Sequence, residues 1–277
     1  VSKPPAINSP KRAERSAFSA RRKGGPKPAG EGPVEGWIWG RHAVLAALEN
    51  PRRTALELRV TKNALREIPE TVDSEIVQES APRHLDSTLP DGAVHQGFAL
   101  RARALDPEPL QAVADPTHGV LIVLDQVTDP HNVGAVMRSA AGFGARAVIL
   151  QDRKAPPLFG TVCKSAVGAA ERIGHVRVVN IADALIALRE AGRRVIGLAG
   201  DAEIDLAAAL AEDGGPGRSG PGAVLVLGSE DKGLRPRVAE NCDLLARIPI
   251  SAGVESLNVS NAAAIALYEA TKNRPAR

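Results

Sequence analysis

Aromatic side chains are scarce in this 277-residue chain: Phe, Trp and Tyr together make up 3% of it, with two Trp and one Tyr. Its core must be filled by Ala, Val, Leu and Ile, which a hydrophobic content of 44% supplies. Cysteine is nearly missing. Cys163 and Cys242 stand apart, without C-x-x-C or His spacing, so neither a disulfide framework nor a zinc site is indicated. No apolar run approaches the roughly 18 residues of a membrane span, and no charged, apolar, small-residue leader opens the sequence. A cytoplasmic protein is therefore expected. Glycine is missing from one telling place. A dinucleotide-binding fold carries G-x-G-x-x-G after its first strand, with an acidic residue about 20 positions on. Here the first strong strand candidate of the larger domain runs into Asp125-Gln126-Val127-Thr128-Asp129-Pro130-His131, and no G-x-x-x-x-G-K-[ST] occurs anywhere. The glycines come late, at Gly228 and Gly233, which assigns a ligand site to the C-terminal end of the domain.

Charge is unevenly spread. Residues 1–35 hold eight Lys/Arg against three Asp/Glu, a net +5, whereas the other 242 hold 27 against 29, a net −2. That first segment has six Pro and few large apolar groups beyond Ile7 and Phe18. It cannot bury enough surface to offset its ordering entropy, so a disordered basic arm is expected. Such an arm either keeps the protein soluble or attracts phosphates without regard to sequence.

Residues 36–105 read as a small α/β domain. Val44, Leu45 and Leu48 have helical spacing over Arg41–Leu48, and Asn50-Pro51 stops it. Ala55–Val60 and Gly97–Leu105 alternate as strands. Charged segments around 62–68 and 73–88 read as short helices, and His95-Gln96-Gly97 reads as a turn. Residues 106–117, with three Pro and three acidic groups, read as a linker. From 118 onward strands near 120–125, 147–151, 175–179, 194–199, 223–228 and 244–249 alternate with helices, which predicts a mostly parallel sheet covered on both faces. Asp213–Pro221, rich in Gly and Pro, reads as a loop.

Three polar segments follow apolar strands. After Val120–Leu124, Asp129-Pro130 supplies a helix cap and a first-turn proline, placing Asn132 in the first turn and Arg138 further along. An Arg in that mostly apolar helix is a surface group or an anion clamp, and spacing does not decide between them. After Ala223–Leu227, a turn from Gly228 to Leu234 presents Glu230. After Leu244–Ile250, a loop carries Ser256 and Asn258 into the Ala-rich segment 259–270, where either can cap a helix.

Asn132 with Arg138, Gly228-x-Glu230, and Ile248-Pro249 followed by Ser256-Leu257-Asn258-Val259-Ser260 resemble, in order and spacing, the three motifs of the SpoU/TrmH family. These are RNA ribose 2′-O-methyltransferases of the SPOUT class. The resemblance covers about residues 118–272. It implies a trefoil-knotted α/β domain over 118–277, an RNA-binding role for 36–105, S-adenosyl-L-methionine as methyl donor without a metal, and a homodimer paired through the knotted domain. It also implies roles for single residues. Arg138, Asn132, Glu230, Ser256 and Asn258 map onto catalytic positions, and Gly228, Ile248 and Leu257 onto donor-binding ones, with the loop after Gly197–Gly200 as a further wall. Arg138 would activate the hydroxyl and position the neighbouring phosphate; an unperturbed guanidinium is an unlikely base, and literal proton abstraction stays open as the alternative. Glu230 would pair with or orient Arg138. Asn261 and Ser251-Ala252 depart from the usual family residues, and neither change removes a catalytic side chain.

The implied substrate is RNA, first a guanosine of large-subunit 23S ribosomal RNA and second a tRNA. A resistance-conferring methylation of another nucleotide uses the same chemistry. A non-catalytic RNA-binding or ribosome-assembly factor on the same fold is the competing class, and the intact set of five polar residues speaks against it.

Overall fold

The computed structural model describes residues 34–115, 119–211, 222–251 and 253–272. The basic segment, apart from its last two residues, and the loop at 213–221 lie outside them.

The first layer is a four-stranded sheet in the order β1-β4-β2-β3. It comprises β1 (Glu35–Trp39), β2 (Ala55–Val60), β3 (Val77–Glu79) and β4 (Phe98–Arg103), with helices α1 (Arg41–Glu49) and α2 (Pro82–Thr88). β4 runs antiparallel to β1 and β2, while β3 lies parallel to β2. The charged stretch 73–88 is not simply helical. A short 3₁₀ turn at Ser74–Ile76 feeds edge strand β3, and only then does Pro82 open α2. β1 was also invisible to alternation, because Trp37-Ile38-Trp39 sits between a charged segment and a helix. Its pattern still obeys period two: Ile38 is fully buried in the main core, while Trp37 and Trp39 share the other face.

Residues 106–115 pack as part of the body. Val113 in α3 (Leu110–Val113) is fully buried, the Glu108 amide donates to the His175 carbonyl, and Arg146 holds the Glu108 carboxylate, keeping it below the usual carboxylate range. Arg193, also buried, donates to the carbonyls of Val113 and Asp115 and to that of Gly222.

The second sheet is entirely parallel, ordered β7-β6-β5-β10-β8-β11-β9. Its elements in chain order are β5 (Leu121–Leu124), α4 (Pro130–Gly142), β6 (Ala147–Gln151), α5 (Gly160–Ala166), β7 (Gly174–Val178), α6 (Ile181–Glu190), β8 (Val195–Leu198), β9 (Ile204–Asp205), α7 (Leu206–Ala211), β10 (Val224–Leu227), α8 (Pro236–Ala239), β11 (Leu244–Arg247) and α9 (Val259–Thr271). The six expected strands are all present, and among the described residues only the two-residue β9 is additional. β5 and β10 are buried along their whole length, as continuous apolar runs in a doubly covered sheet should be. Alternate residues serve two cores. Ile122, Leu124, Leu225 and Leu227 face α4, α5 and α9, whereas Leu121, Val123, Val224 and Val226 face α6 and α8.

The first of these cores runs on into the four-stranded sheet through Ile38, Leu58 and Phe98. The segment 159–171 forms that junction. Gly36 lies on the ring of Phe159, Gly160 on the ring of Trp39, and Gly168 against Ala46, each so closely that a Cβ would come within 2.8 Å of the neighbour. At the far end Arg53 and Glu171 form a buried ion pair, with Nη2 to Oε1 at 2.6 Å and Nε to Oε2 at 3.2 Å. Asn50 adds a third bond to Oε2 at 2.8 Å, and the remaining Arg53 nitrogen reaches the Arg103 carbonyl. Such a pair gains little over apolar packing but is costly to break from one side. Glu171→Ala should destabilise the protein by about 3–5 kcal/mol, because Arg53 would stay buried without its counter-charge. Urea unfolding would measure this, and Glu171→Gln, which keeps acceptor and shape, should cost less.

His175 is buried beside this junction. Burial first, then Arg177, Arg52 and Arg53, lower its pKa from the ordinary 6.5 to about 4. Above pH 6.5 the imidazole is neutral in both states. Between 6.5 and about 4 only the unfolded chain takes up the proton, so stability falls as pH drops through that window. The expected loss is about 3 kcal/mol by pH 4. His175→Gln should flatten that slope when unfolding is followed at pH 7 and pH 4.5.

Candidate active site

β5, β10, β8 and β11 end side by side, and the loops beyond the C-terminal ends of β8, β10 and β11 form a cavity of about 270 Å³. This is the end of an open parallel sheet at which ligands bind. β10, although late in the chain, occupies the middle of the sheet, so its following turn lands in the centre of the site.

That turn is shaped by Gly228. A Cβ there would lie 2.1 Å from the Gly233 carbonyl group and 2.4 Å from the Leu234 nitrogen. The loop closes on itself, with the Gly233 amide donating to the Ser229 carbonyl at 2.9 Å. Gly228 is thus required by its own loop, and a side chain there would spring the turn as well as crowd a ligand. Asp125, fully buried at the end of β5, anchors the far side. Its carboxylate accepts from the Arg235 amide at 3.1 Å, from Nε at 2.9 Å and from Nη2 at 2.5 Å. Sequence reading overlooked both partners. The available signal was a carboxylate directly after an apolar strand; its partner lies 110 residues away.

Glu230 projects from this turn into a closed triangle. Its Oε1 accepts from Asn132 Nδ2 at 2.9 Å, Asn258 Nδ2 at 2.5 Å and the Val259 amide at 3.2 Å. Asn258 Nδ2 also donates to Asn132 Oδ1 at 3.0 Å. Asn258 Oδ1 accepts from the Ser260 amide and hydroxyl, capping α9, just as Asp129 caps α4 through the His131 amide. Each amide therefore uses both of its ends. Glu230 Oε2 has no partner among the described residues and remains an acceptor on a cavity-lining side chain. The three motifs meet here, although 98 residues separate Asn132 from Glu230 and 28 separate Glu230 from Asn258.

Two expectations are corrected. Glu230 pairs with Asn132 and Asn258 and not with Arg138. Ser256 does not cap α9; it is exposed on the cavity rim, where its hydroxyl is free of protein partners among the described residues. Of the donor-binding candidates, Gly228, Ile248 and Leu257 all line the cavity, as do Leu198, Ala199 and Gly200 of the expected fourth wall. Arg138 does not. It is exposed on the outer face of α4, one and two turns from Gly134 and His131, and has no hydrogen bond or ion pair among the described residues. Gly134, one turn away on the same side of the helix, packs on α5: a Cβ there would lie 2.5 Å from the Val162 carbonyl. The small residues of α4 therefore serve its crossing with α5 inside the chain. Neither thiol is a nucleophile here: burial pushes both Cys163 and Cys242 up to about 12.

The cavity suits an amphipathic cation. Leu198, Leu227, Ile248 and Leu257 offer an apolar wall for a flat ring, main chain lies exposed at the glycine turns, and Glu230 and Glu255 supply negative charge at the rim.

A parallel sheet covered on both faces, with a ligand cavity beyond β8, β10 and β11 and a carboxylate–amide triangle beside it, defines a ligand-binding domain of the α/β class. Residues 119–268 match the SpoU rRNA methylase family and residues 37–108 match the RNA 2′-O ribose methyltransferase substrate-binding family, so this chain belongs to the SpoU family. It is similar to the 23S rRNA (guanosine-2′-O-)-methyltransferase RlmB of Vibrio cholerae, with 37% identity over 249 residues that cover 86% of this chain and 97% of that one. A TrmH-family structure from Porphyromonas gingivalis superposes with a TM-score of 0.69 at 31% identity, covering 86% of this chain and 90% of its own. The SpoU methyltransferase AviRb of Streptomyces viridochromogenes, solved with AdoMet, shares the fold at a TM-score of 0.71 and 22% identity over 86% of this chain and 89% of its own.

Glu230→Ala should leave Asn132 Nδ2 and the Val259 amide without their acceptor, remove one of the two bonds of Asn258 Nδ2, and loosen the start of α9. The expected effect is faster hydrogen exchange at Val259 and Ser260, with about 1–2 kcal/mol of lost stability. Glu230→Gln, which keeps an oxygen acceptor, should be milder on both counts.

Proposed function

We propose that this protein transfers a methyl group from S-adenosylmethionine to a ribose 2′-hydroxyl of RNA, with a guanosine of 23S ribosomal RNA as its substrate. The observation that carries this reading is the meeting of Asn132, Glu230 and Asn258, one residue from each motif, beside a cavity that fits such a donor. The name of the Vibrio relative, matched across nearly its whole length, supplies the substrate.

Leu198, Ile248 and Leu257 would pack on the adenine, the turns at Gly200 and Gly228 would present main chain to the ribose, and Glu230 would lie toward the positive sulfur. When bound, the donor supplies a methyl group on a good leaving group. The chain's own task is to seat the ribose and ease the loss of its proton. Glu230 Oε2, unclaimed by any of the described residues, would accept a hydrogen bond from the hydroxyl while Asn132 and Asn258 hold the carboxylate still. Ser256 on the rim would bond the sugar or its phosphate. Holding the reactants in line contributes several kcal/mol of such a barrier.

Arg138 belongs to this scheme through a second copy of the chain. The outer face of α4 that carries it adjoins Phe143, 36% exposed, which meets the edge of Tyr268, 55% exposed, at 6.2 Å; Ile265 on α9 is 42% exposed. An apolar strip of this kind on two adjacent helices supports a homodimer, and pairing there would bring Arg138 toward the partner's cavity. Its planar fork matches a phosphate in two bonds, which lowers the pKa of the neighbouring hydroxyl.

Methyl transfer from labelled donor to ribosomal RNA of cells lacking the protein, followed by mapping of the modified ribose, tests the reading directly. Incorporation should fall on one guanosine of the large subunit, and transfer confined to tRNA would replace that substrate. Arg138→Lys should keep RNA and donor affinity yet lose most of kcat, with Arg138→Ala only slightly worse. Mixing Arg138→Ala with Glu230→Gln chains should restore activity, because each mixed dimer holds one site with both residues intact. No restoration would place Arg138 in the site of its own chain.

A further inference from the structure

Both tryptophans of this aromatic-poor chain line one groove that the reaction scheme leaves unused. Strand alternation sends Trp37 and Trp39 to the same side of β1, where Trp39 is buried on Gly160 and Trp37 stays half exposed. With Leu89, Phe159, Pro157 and Pro130 they bound an open groove of about 530 Å³. The guanidinium of Arg59 covers the Trp37 ring at 5.2 Å and is itself held by Glu57 at 2.7 Å and by the Thr88 hydroxyl at 2.5 Å. The opposite wall is equally stiff. Arg177 donates to the carbonyls of Asp152, Ala155 and Pro156, at 3.2, 3.3 and 2.6 Å, fixing the loop that leads into Pro157.

Two features select the occupant. The groove neighbours the Glu230 triangle: Pro130, one of its walls, is the first residue of α4, two positions before Asn132. Two exposed cations, Arg153 and Lys154, precede Pro156 and Pro157 on the same loop, after the exposed Asp152, and form no ion pair among the described residues. An indole held by a guanidinium over one face, in a groove near exposed cationic side chains and the Glu230 triangle, offers what an unpaired base on a phosphate backbone requires.

We propose that this groove takes an unpaired nucleobase of the substrate RNA, flanking the nucleotide whose ribose is methylated, by stacking it on Trp37. This rests on the RNA-methylation reading above. The base would hold the strand in register so that only one 2′-hydroxyl reaches Glu230, which makes Trp37 a determinant of site selection.

Intrinsic fluorescence tests it in the full-length protein. A ribosomal RNA fragment that contains the methylated guanosine should quench the emission of the wild type, and the quench should largely vanish in Trp37→Phe, where only Trp39 remains to report. Abasic residues scanned through the flanking positions should abolish the quench at one position and lower affinity there about 10-fold, the scale of one lost base–aromatic stack. Trp37→Ala should weaken RNA binding by a similar factor with S-adenosylmethionine affinity unchanged, while Trp37→Phe keeps most of the RNA affinity. Methylation by the wild type with no quench, or with a quench indifferent to every abasic position, overturns the groove proposal and leaves the methyltransferase reading standing. Absence of both methylation and quench overturns the two together. Quenching by a proline-rich peptide but not by RNA would make the groove a protein-binding surface and overturn it as well.

Discussion

One carboxylate oxygen ties the site together. Glu230 Oε1 accepts from the first turn of α4, from the cap residue of α9 and from the first amide of α9, so a single atom sets the spacing of three segments far apart in the chain. None of these bonds is strong alone, since a typical one contributes about 1 kcal/mol net. Their value lies in closure. With both amides satisfied at each end, neither Asn132 nor Asn258 has an alternative rotamer that keeps its bonds. The carboxylate of this cavity-lining residue is then held in place.

The rest of the fold delivers Glu230 to that point. Gly228 lets the turn fold back on Gly233, Asp125 pins Arg235 on its far side, and the buried run of β10 places the turn at the middle of the sheet. The cost is a loop that tolerates no Cβ at its first residue. Stability is recovered in the flanking strands, whose alternate residues feed two separate cores.

The segment 159–171 does for the whole molecule what Glu230 does for the site. Phe159 and Gly160 meet β1, Lys164 reaches Gln96 at 2.7 Å, and Glu171 closes on Arg53 and Asn50. The small sheet is thereby held to the large one along a packed seam, not through a linker alone, and the aromatic groove at the mouth of that seam has fixed walls. An RNA gripped by the first layer would meet the cavity in a set geometry, which is the physical basis for joining recognition to chemistry in one body.

Much of this was legible in the chain. The continuous apolar runs at 121–124 and 224–227 marked doubly buried strands, Asp129-Pro130 marked the start of α4, and the order of Asn132, Glu230 and Asn258 pointed to a family and its chemistry. Those signals are local, or are motifs preserved in sequence. Pairing was not legible, because it depends on which side chains the sheet brings within 3 Å. Asp125 found Arg235 across 110 residues and Arg53 found Glu171 across 118, with no periodicity to mark either. The same reason governs Arg138. Spacing left open whether it was a clamp or a surface group, and only the packing of α4 against α5 and α9 turned it outward, away from its own cavity. The two tryptophans stand two apart in any reading of the sequence. That they share one groove beside the site was decided by where β1 meets α5.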